Sequence, residues 1–103
     1  MRFTSRFIFN AAVLALASYA SAQTFVAFSG DTCNGDEGAD VVCNGDCGSF
    51  SGRHSFHVLG SSASVLLFEG DGCTGEGFNF GTETAGECIN VNTGTPISSF
   101  ICG

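Results

Sequence analysis

The sequence predicts an all-β fold, a small disulfide-stabilised sandwich with Greek-key connections. Three observations carry that expectation. Short apolar runs of strand length alternate with turn signals from Thr24 to the end of the chain. No segment in that region keeps a helical period. Six cysteines lie in the same region and none before it. Many short strands at such spacing are the pattern of a sandwich.

The first residues have a different character. Arg2 and Arg6 form a basic start, Phe7 to Leu16 is an apolar core broken only by Asn10, and Ala20-Ser-Ala22 is a small-x-small site. This is the layout of a secretory signal peptide over residues 1–22, with cleavage between Ala22 and Gln23. The apolar run is shorter than the roughly 20 residues needed to cross a bilayer. A new N-terminal Gln23 can cyclise and lose its charge. Residues 23–103 are expected to form one domain.

Removing the signal sharpens the composition. Arg53 becomes the only strong base against ten acids, a formal charge of −9. That surface repels phosphate backbones and anionic lipid, so neither nucleic-acid binding nor membrane insertion after cleavage is expected. The expected location is extracellular, and the expected state is a monomer.

The strands come in a regular order. Thr24 to Phe28 and Ser64 to Phe68 read as the first strands of two halves. Phe78 and Phe80 alternate with Asn79, a half-buried strand pattern. His54 to Val58 and Ile97 to Ile101 read as the closing strands. Gly30-Asp31, Asn34-Gly35, Asn44-Gly45 and Gly70-Asp-Gly72 mark turns. Pro96 stands just before the last strand, where its missing N–H costs little.

Glycine-rich, with eight phenylalanines after the signal, such a domain has a thin core. At this size, burial and chain entropy nearly cancel. Three disulfides at about 2–4 kcal/mol each supply stability on the scale of a whole domain. Cys33, Cys43, Cys47, Cys73, Cys88 and Cys102 admit fifteen pairings, and sequence alone does not choose. The working expectation is Cys33–Cys43 and Cys73–Cys88 within the halves, with Cys47–Cys102 joining them. Zinc is the competing use of Cys43, Cys47, His54 and His57. It is disfavoured because six residues separate the Cys and His pairs, against about twelve in finger sites, and because exported thiols oxidise.

The domain looks doubled. Phe28-Ser-Gly-Asp-Thr-Cys-Asn-Gly35 matches Phe68-Glu-Gly-Asp-Gly-Cys-Thr-Gly75 at five of eight positions, forty residues apart. Ser55-Phe56 recurs as Ser99-Phe100. The units run from about residue 25 to 58 and from 65 to 102. These features resemble the βγ-crystallin Greek-key signature, an aromatic followed by a second aromatic and a glycine. Phe28 and Phe68 take the first position, Gly35 and Gly75 the glycine, and Cys33 and Cys73 the second aromatic. Ser55 and Ser99 match the family's serine near the last strand of each motif. The resemblance implies two Greek keys forming a small crystallin-like sandwich. In it each glycine allows a φ > 0 bend, and each serine bonds the folded hairpin's backbone. Gly52-Arg-His-Ser-Phe56, Gly77-Phe-Asn-Phe-Gly81 and Asn90-Val-Asn-Thr-Gly-Thr-Pro96 also resemble the small cysteine-rich secreted proteins of basidiomycete fungi, most of which have no assigned function.

The crystallin family's usual ligand is calcium, but its motif is not met here. The two acidic or amide positions fall on Gly94 and Thr95 in one half and on Phe50 and Ser51 in the other. The cofactor expectation is therefore none, beyond weak calcium binding by the acidic turns at Asp31, Asp36, Glu37, Asp71 and Glu76. No catalytic motif is present. His54 and His57 are expected on opposite faces of one strand, one exposed and one partly buried beside Phe56. The expected function is a secreted, non-enzymatic, effector-like binding or signalling protein whose partner is an extracellular protein or cell-surface component. Two alternatives stand beside it. One is a protease inhibitor, working through Ala85 to Gly94 or Gly45 to Arg53, or an antimicrobial toxin. The other is a structural component of the matrix or cell wall.

Overall fold

Strand-forming residues with alternating apolar side chains build two antiparallel sheets in the computed structural model, which describes residues 23–103. The expected signal segment and the Ala22 side of its cleavage site lie outside the described residues. The strands are β1 (Thr24–Phe28), β2 (Val41–Val42), β3 (Cys47–Ser49), β4 (Ser55–Leu59), β5 (Ala63–Phe68), β6 (Gly77–Glu83), β7 (Ile89–Asn90) and β8 (Ser99–Cys102). One sheet has the order β2-β1-β4-β7 and the other β3-β8-β5-β6. Among the described residues there is no helix. The all-β expectation holds, with the last strand beginning two residues later than Ile97.

The sheets exchange strands. In the first half β1, β2 and β4 stay together while β3 pairs with β8 in the other sheet. In the second half β5, β6 and β8 stay together while β7 pairs with β4. The strands that cross over are short, and their main-chain bonds are few.

Alternation along the strands fills the space between the sheets. Phe25, Ala27, Phe56 and Val58 face inward from one sheet, and Ala63, Val65, Leu67, Phe100 and Cys102 from the other. Phe25 is the centre. Its ring stacks on Phe56 at 4.9 Å and on Phe100, across the sheets, at 3.9 Å. Phe50 meets Phe25 edge-on at 6.2 Å. Gly48, paired with Phe100, makes this possible, because a β-carbon there would lie 2.5 Å from the ring. Phe78 and Phe80 are half-buried against the core, with a register shift between Val65 and Leu66 in the opposing strand.

The disulfides correct the expected pairing. They are Cys33–Cys88, Cys43–Cys102 and Cys47–Cys73, and none of the three expected bridges forms. Every bridge joins one half to the other. For two of them the reason is the exchange of strands: Cys47 and Cys88 stand at the entries to β3 and β7, so each lies against the hairpin of the half it joins, whereas Cys43, after β2, bonds Cys102 of β8 directly. Cys43 and Cys47, the cysteines of the zinc alternative, lie in separate bridges.

Candidate functional site: a cleft between the sheet edges

Two folded hairpins follow β1 and β5, and the same bonds close both. The Cys33 N–H donates to Ser55 Oγ at 2.8 Å, and that hydroxyl donates to the Gly30 carbonyl at 2.6 Å. In the second hairpin the Cys73 N–H donates to Ser99 Oγ at 2.8 Å, and Ser99 donates to Gly70 at 2.5 Å. Both serines are buried. Gly35 and Gly75 each have φ of 78°, as a bend of this kind requires. Cys33 and Cys73 also sit in the left-handed region, at 55° and 59°, where a residue with a β-carbon is strained.

The hairpins carry most of the expected acidic turns outward. Asp31, Asp36, Glu37, Asp71 and Glu76 are all exposed. Among the described residues no group of three or more metal-ligating side chains converges. Asp31 and Asp71 are engaged through their main-chain carbonyls, with Asn90 Nδ2 at 2.9 Å and Thr74 Oγ1 at 2.6 Å. Phe50, at one of the aligned calcium-motif positions, is fully buried.

The two histidines have separate surroundings. His54 is exposed and its Nδ1 lies 2.7 Å from the Ser29 carbonyl, so that nitrogen carries the proton. His57 is half-buried, and its ring meets Phe28 edge-on at 5.1 Å. The expected neighbour was Phe56, but that side chain points to the opposite face of β4, into the core. Both imidazoles tie the first hairpin and its strand together.

The concavity with the richest chemistry lies where the edges of the two sheets part. It is a cleft of about 260 Å³. Phe25, Ala27 and Phe100 form its floor, and Gly38, Ala39, Val41, Ser49, Ser51 and Arg53 line its sides. Three segments bring these residues together. The Gly38 N–H donates to the Ala27 carbonyl at 2.8 Å, which holds the loop before β2 against β1. The Arg53 N–H donates to the Phe50 carbonyl at 3.1 Å, closing a turn after β3 in which Gly52 has φ of 74°. Arg53 Nη1 then reaches back to the Asp36 carbonyl at 2.8 Å. Gly38 lets this loop lie close on β1, since a β-carbon there would sit 3.2 Å from the Ala27 carbonyl oxygen.

This cleft could not be read from the linear sequence, because its walls come from β1, the loop before β2, β3 and β8. The one signal was Arg53, the only strong base in residues 23–103. Its lining combines the hydroxyls of Ser49 and Ser51 with the Arg53 guanidinium and the apolar side chains of Ala39 and Val41. No family model, no curated protein and no solved structure matches the chain.

Proposed function

We propose that this chain is a small, secreted, non-enzymatic protein of βγ-crystallin-like build that acts outside the cell as an effector-like binding or signalling protein. The observation that carries the reading is that all six cysteines form bridges between the two halves. Such bonds persist in oxidising compartments and are rare in the cytosol. The strand order supports the crystallin-like part. In each half the first strand lies between the second and the fourth, as in a Greek key, with the third strand passed to the other sheet. The serine-closed hairpins support it further. The fungal attribution rests on the sequence resemblance alone.

A binding role fits the disposition of side chains. The histidines serve the hairpin, the sulfurs are bridged, and nearly all the acids face solvent. The test is recovery of the natural protein followed by a pull-down with its oxidised form from extracellular fluid. The reading expects bridged protein in the culture fluid and capture of a specific partner. Intracellular protein with reduced thiols would contradict it.

One observation favours protease inhibition as a second reading. Cys47 and Cys88 brace the segments Gly45 to Arg53 and Ala85 to Gly94. Full protease activity across a panel, at saturating protein, would reject it.

A further inference from the structure

We infer that the cleft beside Arg53 is a binding site for a small amphipathic carboxylate, with an alkyl or aryl body and one anionic head. The inference deepens the binding reading above and depends on it only in assigning the cleft a biological use. Phe25, Ala27 and Phe100 close the base of the cleft as part of the buried core, and Ala39 and Val41 supply its exposed apolar surface. The volume, about 260 Å³, lies just below the usual range for ligand pockets and fits a molecule of about ten non-hydrogen atoms.

Charge selects the head group. Arg53 is the only strong base in residues 23–103, and it stands at the cleft. Its bond goes to the main-chain carbonyl of Asp36, and among the described residues no carboxylate pairs with the guanidinium. One N–H is used there, and the planar fork has others to offer. That fork matches a carboxylate in two parallel hydrogen bonds, shorter and stronger than neutral ones. Ser49 and Ser51 add hydroxyls on the same wall.

The surrounding acids limit the charge of the guest. Asp36, Glu37 and Asp40 are exposed on the loop that forms one side. A polyanion meets their combined repulsion, whereas a single carboxylate can be compensated by one guanidinium. A neutral apolar molecule satisfies Ala39 and Val41 but leaves Arg53 without its anion. The geometry therefore favours a monocarboxylate over both.

The experiment is a titration of oxidised protein with octanoate, and separately with 1-octanol, followed by amide NMR shifts. Octanoate is expected to move the amides of Gly38, Ala39, Val41, Ser49, Ser51 and Arg53, and to bind at least about tenfold more tightly than octanol, as one charge-assisted bond implies. Arg53→Gln should bring octanoate down to the octanol level. Ala39→Trp, which keeps the charge and blocks the mouth, should weaken both ligands. Shifts elsewhere, equal affinity for the two ligands, or an unchanged preference in Arg53→Gln would overturn the assignment. Failure here with a partner still captured from extracellular fluid removes the cleft alone. Octanoate binding with no captured protein keeps the cleft and removes the protein partner.

Discussion

Cys33, in the hairpin after β1, is bonded to Cys88, the residue that leads the second half's third strand into the first half's sheet. Cys73 and Cys47 make the reciprocal bond, from the second hairpin to the strand lent by the first half. The two bridges are near-equivalents, with Cα separations of 5.9 and 6.0 Å. Each staples a strand of two or three residues at the point where it enters a foreign sheet. Main-chain bonds over so short a strand hold it weakly, and a covalent tie at its start compensates. Replacing Cys33 and Cys88 together with alanine is expected to cost about 3–4 kcal/mol in the loop-closure account. The Cys47/Cys73 pair should cost about as much, since with the remaining bridges intact both close covalent loops of about 25 residues. Denaturant unfolding of the two double variants checks both the size and the near-equality.

The buried serines should be as sensitive as core residues. Ser55→Ala removes the acceptor for the Cys33 N–H and the donor to the Gly30 carbonyl. Ser99→Ala does the same to the second hairpin. Leaving such groups without partners costs about 1–3 kcal/mol each. Equal losses are expected at the two sites, read as the shift in unfolding midpoint. Faster amide exchange should appear at Cys33 or Cys73 in the matching variant.

Gly48 should tolerate no side chain. A methyl group there meets the Phe100 ring, which is pressed between β3 and Phe25. Gly48→Ala is expected to destabilise by about 1–3 kcal/mol, the usual cost of overpacking. The aromatic region of the NMR spectrum should report a displaced Phe100 ring.

Glu83 gives the fold a defined pH response. Desolvation first, and the nearby Glu87 charge second, raise its carboxyl above the ordinary range. The folded state therefore holds this proton to higher pH than the unfolded chain does. Stability from this group is full below the unfolded value of 4.5 and falls as pH rises through the raised folded value. Glu83→Gln should melt higher than the parent at neutral pH and lose that advantage in acid. Melting temperatures across that pH interval test the sign.

Much of this fold was legible because its signals are local. The apolar run from Thr24 to Phe28 gave β1 with its bounds, and the recurrence of Ser55 and Ser99 pointed to the hairpin bonds that form. The two-residue strands β2 and β7 were not legible, because no period can be seen over two positions. The bridge pattern failed for a different reason. Proximity along the chain suggested pairs within each half, but the third strand of each half leaves for the other sheet and carries its cysteine with it. The cleft was hidden in the same way, since Arg53 and Phe100 meet only through that exchange.

The most direct test of that exchange is disulfide mapping of unreduced protein by mass spectrometry. Trypsin has a single site in residues 23–103, at Arg53, so cleavage at the acids is the practical choice. The account predicts linked peptides carrying Cys33 with Cys88, Cys43 with Cys102 and Cys47 with Cys73. Bridges confined to one half, such as Cys33 with Cys43 or Cys73 with Cys88, would contradict it.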